Sequence, residues 1–76
     1  MYGQIVTIIA KQLNIPASKI EPDTLIVDEL GADPLNVVEI LMALENEFDI
    51  FVPDEEIEKL RTPTDIQQYI LSQKDG

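Results

Sequence analysis

The segment from Asp28 to Asp49, DELGADPLNVVEILMALENEFD, constrains the fold more than any other stretch of this chain. It reads as a tight turn, a capped helix start and a helix of about four turns. Asp33 stands as the N-cap, because its carboxylate can accept from the free backbone N–H groups of the next turn. Pro34 falls at the first helical position, where its missing N–H costs nothing and its fixed φ suits a helix. Gly31 lets the backbone turn sharply before the cap. On a wheel of about 100° per residue, Val37, Ile40, Leu41, Leu44 and Phe48 gather on one face. Glu39 and Asn46 point away from it, and Asn36 lies on the flank. Leu35 and Met42 sit on the outward side, beside Glu39. Exposed apolar residues in ones and twos are ordinary. This helix alone therefore leaves two readings of Leu35 and Met42, incidental exposure or contact with a partner.

The rest of the chain is helical as well. Gly3 to Leu13 forms a first helix, with Ile5, Ile9 and Leu13 at i, i+4, i+8 and with Val6 and Ile8 widening the stripe. Asn14 and Pro16 end it. Ile15 to Ala32 is a long connection, punctuated by the turn formers Pro16, Ser18, Pro22, Asp23 and Gly31. A loop of that length in a small domain packs down or has a task, and Ile20, Leu25, Val27 and Leu30 are the residues expected to pin it. After a short connection at Ile50 to Pro53, a brief helix starts with Asp54, Glu55 and Glu56, where the helix dipole favours acids. Ile57 and Leu60 face inward from it, and Lys59 and Arg61 suit its end. A last helix is capped by Thr62 and opened by Pro63, with Thr-x-x-Asp at capping-box spacing. Ile66, Tyr69 and Ile70 form its buried side, and Gln73 to Gly76 is expected to fray. No segment alternates for long enough to read as a strand. The expected architecture is all-α, a four-helix bundle of three main helices and one short one, with a long first loop, spanning residues 1–76 as a single domain.

Composition removes whole classes of function. A chain of 76 residues buries only about 60% of its unfolded surface. It has no cysteine, histidine or tryptophan. Disulfides, thiolate zinc sites and Ser–His or Cys–His nucleophile pairs are therefore out of reach. Charge is the strongest global signal, a formal −10. Thirteen acidic side chains and no base lie between Glu21 and Glu58, while Lys11, Lys19, Lys59, Arg61 and Lys74 fall outside that window. Such a surface repels nucleic acid and anionic membrane and attracts basic patches on proteins. Solubility alone would account for acidity, but not for its segregation. The leading segment is no signal peptide and no run reaches membrane-spanning length, so a soluble, cytoplasmic, monomeric protein is expected. A start at Met1 and an end without a linker suit a free-standing module.

The loop from Asp28 to Asp33 lacks the calcium-loop spacing, so no specific metal site is expected, only weak divalent association with its carboxylates. Nothing accompanies these acids as a second reactive group, and no catalytic residue is assigned. Ile40, Leu44, Ile57, Leu60 and Ile66 could line a space between helices, though packed core is the expectation.

The segment DELGADPLNVVEILMALENEFDIFVPDEE resembles the heart of an acyl carrier protein. Members of that family typically read D-x-L-G-x-D-S-L, then a helix ending in an M-A-L-E-x-x-F-like run, then I-P-D-E-x. Asp28, Leu30, Gly31, Asp33 and Leu35 match the turn. Glu39, Met42, Ala43, Leu44, Glu45, Phe48 and Asp49 match the helix, and Pro53, Asp54 and Glu55 match the next start. The resemblance covers the whole chain. It implies a four-helix bundle that is not an enzyme but carries acyl chains on 4′-phosphopantetheine, attached to the serine of the Asp-Ser-Leu triplet. It also implies docking to fatty-acid or polyketide synthesis enzymes and to phosphopantetheinyl transferase, through their basic patches. Asp33, Leu35, Glu39, Met42, Glu45 and Asp54 fall on positions that resemble the docking surface. With that resemblance, Leu35 and Met42 are read as partner contacts.

One departure bears on chemistry. The attachment position is occupied by Pro34, which has no hydroxyl, and Ser18, Ser72 and Thr24 lack the Asp-x-Leu setting. Asn36, Asn46 and Phe51 stand where the family is often acidic and thin the docking charge. Three readings remain: a fatty-acid-type carrier whose serine has been exchanged, a natural degenerate carrier kept as a non-covalent regulatory or scaffold module, and an unrelated acidic bundle. The close match of the flanking residues favours the first over the second, and the density of matches disfavours the third.

Overall fold

A computed structural model describes residues 1–75. Among the described residues, helices α1 (Tyr2–Leu13), α2 (Pro34–Phe48), α3 (Asp54–Ile57) and α4 (Pro63–Asp75) follow one another, with a 3-10 turn at Ala17–Lys19 and no strand. The 3-10 turn lies inside the long connection and is an addition to the expected architecture. None of these helices is long and apolar enough to cross a membrane. α1 packs on both α2 and α4. Ile5 and Ile9 of α1, Ile40 and Leu44 of α2, and Ile70 of α4 are sealed from solvent where these helices meet.

α1 and α2 end in the same way. Asn14 and Asp49 take left-handed conformations, at φ 56° and φ 55°. The following N–H groups, of Ile15 and Ile50, turn back to the carbonyls of Ala10 and Glu45, at 3.0 and 3.2 Å. Such closures satisfy carbonyls that a helix end leaves free, and Asn and Asp tolerate the left-handed region better than most residues. α4 continues through Asp75, past the Gln73 at which fraying was expected. Gly76 lies outside the described residues.

The long connection is pinned, but one residue out of the expected register. Ile20 is buried, and Leu25 and Leu30 are half-buried. Val27 is 52% exposed, while its neighbour Ile26 is 4% exposed. The cause is long-range hydrogen bonding. The Ile26 N–H donates to the Arg61 carbonyl at 3.0 Å, and the Ile26 carbonyl accepts from the Ala32 N–H at 3.3 Å. Both backbone groups of Ile26 are thus drawn into the fold, and the next side chain turns out. Four residues earlier, the Pro22 carbonyl accepts from the Thr64 N–H at 3.1 Å and from Thr64 Oγ1 at 2.8 Å. Thr24 is buried, with Oγ1 accepting the Glu21 N–H. The loop is therefore fastened at two points, to the α3–α4 connection at Arg61 and to the first turn of α4 at Thr64.

The cap of α4 forms as its spacing predicts. Thr62 Oγ1 accepts the Asp65 N–H at 3.1 Å, and Asp65 Oδ2 accepts the Thr62 and Arg61 N–H groups at 3.2 and 3.1 Å. Aspartate here does what Glu or Gln usually does in this motif.

Candidate functional site

The head of α2 is built by local hydrogen bonds. Gly31 has φ +74°, a conformation costly for any residue with a Cβ. Asp33 is extended at φ −90° and ψ 172°, and its Oδ1 accepts the Asn36 N–H at 2.9 Å. Asn36 Oδ1 accepts the Asp33 N–H at 3.2 Å in return. The two satisfy each other's backbone donors as a reciprocal box. Asn36 is therefore part of the cap, a role that the wheel reading missed. Its Asp-x-x-Asn spacing is the signal that would have found it. Pro34 occupies the first helical position and is exposed.

Beyond this head, α2 presents an apolar row. Leu35 is 65% exposed, Val38 44% and Met42 56%. Glu39 and Asn46 are exposed among them. The spacing i, i+3, i+7 places the three apolar side chains on one strip. Leu35, Glu39 and Met42 are where the sequence puts them. Val38 was not singled out, although its spacing from Leu35 and Met42 signals it. Asp33 heads this strip. Asp54 is exposed on a separate element, as the first residue of α3.

Glu45 is placed differently. It is half-buried, and its Oε2 accepts the Val52 N–H at 2.8 Å. The adjacent Phe51 carbonyl accepts from the Tyr69 hydroxyl at 2.9 Å. Together they tie the α2–α3 connection to α2 at Val52 and to α4 at Phe51, and leave the Phe51 side chain exposed. Burial, and then the Glu56 and Glu45 carboxylates, hold the Tyr69 hydroxyl above its ordinary pKa of 10.0. Among the described residues the ion pair is Lys59 to Glu56, at 3.7 Å on the surface of α3 and its exit. No group of three acids is gathered there as a metal cage would need.

An open cleft of about 860 Å³ lies between the long connection, α2 and the α3–α4 segment. Of the five residues that could line such a space, Ile40, Ile57, Leu60 and Ile66 form its floor and Leu44 lies away from it. The packed-core expectation holds: Ile40, Leu44 and Ile66 are buried in the core, with Ile57 and Leu60 packed against it, and the cleft lies over them. Ile26 and Val27 supply the wall on the loop side, and Pro34 and Val38 lie at the α2 side.

The phosphopantetheine attachment site family model matches residues 3–70. The acyl carrier protein of Syntrophobacter fumaroxidans is 49% identical over 74 residues, covering 97% of this chain and 91% of that relative. The acyl carrier protein of Clostridium acetobutylicum is 47% identical over 70 residues, covering 92% and 91%. In fold, the chain matches a solved structure of the Enterococcus faecalis acyl carrier protein with a TM-score of 0.81, at 32% identity, over 95% of this chain and 91% of that one. This chain belongs to the acyl carrier protein family. Members are carriers and not catalysts, which agrees with a chain that offers no nucleophile pair.

The family model is named for a phosphopantetheine attachment site, and the resemblance implies a serine hydroxyl as the anchor, so the hydroxyls of this chain matter. Thr62 caps α4, Thr64 donates to Pro22, Thr7 donates to the Gly3 carbonyl and Ser72 to the Tyr69 carbonyl. Thr24 is buried, and Ser18 lies in the 3-10 turn. None of them stands at the head of α2.

Proposed function

We propose that this protein is a cytoplasmic, monomeric acyl carrier protein of the fatty acid synthesis type, that it meets its partners through the outward strip of α2, and that it holds no phosphopantetheine at position 34. The observation that carries this reading is the strip Leu35–Val38–Glu39–Met42, exposed directly behind Asp33 and Pro34. It lies inside the base-free window from Glu21 to Glu58. Apolar side chains set in acid fit an apolar recess with an Arg and Lys rim. The acids speed encounter, and the buried apolar contacts supply much of the residence time. Asp33 and Asp54 belong to that acidic surround. Glu45 contributes its free oxygen while holding Val52.

The residues at the head of α2 do not fit the group for which the family is named. A phosphodiester needs a hydroxyl oxygen, and proline offers none. The docking strip does not depend on that oxygen, since its side chains begin one residue later. Synthesis enzymes and the phosphopantetheinyl transferase are therefore the partners of choice.

Calorimetric titration of the chain into a carrier-dependent synthase or transferase tests the docking. Raising ionic strength from about 0.05 to 0.5 M should weaken affinity several-fold, because exposed charge pairs are screened. An affinity that ignores salt would sink the electrostatic part of the reading.

A further inference from the structure

We propose that, with proline at position 34, the chain is a dead-end competitor of the transferase that loads phosphopantetheine onto carriers. The inference rests on the docking reading above and adds which partner is held, and to what effect.

Three features converge on it. The first is the missing oxygen. The transferase must bring a hydroxyl at the head of α2 to its donor, and Pro34 gives it a ring carbon there. The complex can form, but it cannot turn over. The second is order. The Asp33–Asn36 box and the proline ring hold the head of α2 in helical form without help from a serine. A surface already in its bound shape loses little freedom on docking. The third is where the contact surface lies. Leu35, Val38 and Met42 are exposed immediately behind position 34, within acid and free of nearby base. A partner reaching for position 34 covers them.

The same features select among partners. An enzyme that acts on a carrier's cargo draws part of its binding from the cargo and the arm that bears it. This chain brings no arm, so it forfeits that part. The loading enzyme takes the armless protein as its substrate, and all its contacts with the carrier are to the protein surface. An armless, unloadable chain therefore competes best at the loading step.

The test uses the intact chain and its Pro34→Ser variant, a transferase and a fluorescent coenzyme A analogue. Intact-mass measurement should show the variant gaining the arm and the proline chain gaining nothing. The rate of loading the variant is then measured at rising concentrations of the proline chain. The expected result is a higher apparent KM for the variant at unchanged kcat, with an inhibition constant within about threefold of that KM, since both present one surface. Leu35→Ala with Met42→Ala in the proline chain should raise the inhibition constant roughly tenfold or more, as loss of interface anchors does. An acyl-transferring enzyme working on the loaded variant should need at least about tenfold more proline chain for equal inhibition.

The outcomes separate the proposal from the reading beneath it. A variant that loads normally while excess proline chain leaves the rate untouched overturns the competitor and spares the docking surface. Equal inhibition of the loading and acyl-transferring enzymes overturns the choice of partner. A variant that no transferase loads overturns the carrier reading, and the proposal with it. A gain of the arm by the proline chain itself overturns the dead end.

Discussion

α2 and α4 begin alike and end up in different surroundings. Each opens on a cap residue followed by proline, Asp33–Pro34 and Thr62–Pro63. Each closes a reciprocal pair of hydrogen bonds with the residue three positions on from the cap, Asn36 and Asp65. The surroundings differ. Pro63 is buried, and the residues beside it, Arg61 and Thr64, hold the long connection by Ile26 and Pro22. Pro34 is exposed, and the next residue is Leu35, pointing to solvent. A cap thus says where a helix begins. Whether that beginning is for packing or for display is decided by what covers the residues around it.

The contrast is broken or sharpened first by truncating one side chain in each helix. Ile66→Ala, four residues beyond the α4 cap and 2% exposed, should cost about 2–5 kcal/mol, a large share of what so small a chain has. Leu35→Ala should cost no more than about 0.5 kcal/mol in folding, because its site is already in water. Urea denaturation of both variants gives the comparison. A cost near 2 kcal/mol at Leu35 would mean that the head of α2 is packed and not displayed.

The caps themselves give the next effect. Asp65→Ala removes the acceptor of two backbone N–H groups, at Arg61 and Thr62, in a half-buried site. We expect a loss of about 1–2 kcal/mol. Asn36→Ala leaves Asp33 still accepting its N–H and opens only the Asp33 N–H to water. The expected loss is about 0.5 kcal/mol, at the low end for caps. Equal losses would show that burial adds nothing to the motif.

These starts were legible because caps and prolines act within one turn. The apolar stripes were legible for the same reason, and Ile5, Ile9, Ile40, Leu44, Ile66 and Ile70 are in the core. Other features depend on distant partners. The choice of Ile26 over Val27 is made by a carbonyl thirty-five positions later, at Arg61. Glu45 reaches Val52, and Tyr69 reaches Phe51, across connections whose path no local pattern gives. Val38 sits at the edge between two helix faces, where a wheel assigns sides least well. Of the site, the helix and its outward Leu35, Glu39 and Met42 could be read, while the bonding of Asn36 and Glu45 could not.

A last expected effect concerns the far end of α2, where the contrast with its head is electrostatic. Burial, then Glu56 and Glu45, keep the Tyr69 hydroxyl protonated above its ordinary 10.0. The unfolded chain gives up that proton first, so the folded state binds more protons above pH 10. Stability from this group is therefore complete below about pH 10 and declines as pH rises through the folded value. Tyr69→Phe should flatten that alkaline decline in a series of urea melts. It should also cost about 1 kcal/mol at neutral pH, for the lost bond to Phe51.

The fastening of the long connection at Pro22 and Ile26 has a practical side. By length it is the obvious place to graft a tag or fluorophore. A graft between those two residues would pull on Thr64 and Arg61 and loosen the last helix from the other side of the molecule. The exposed turn at Ala17–Lys19 carries no such tether to the α3–α4 segment, and a label set there leaves both the display strip and the far helix as they are.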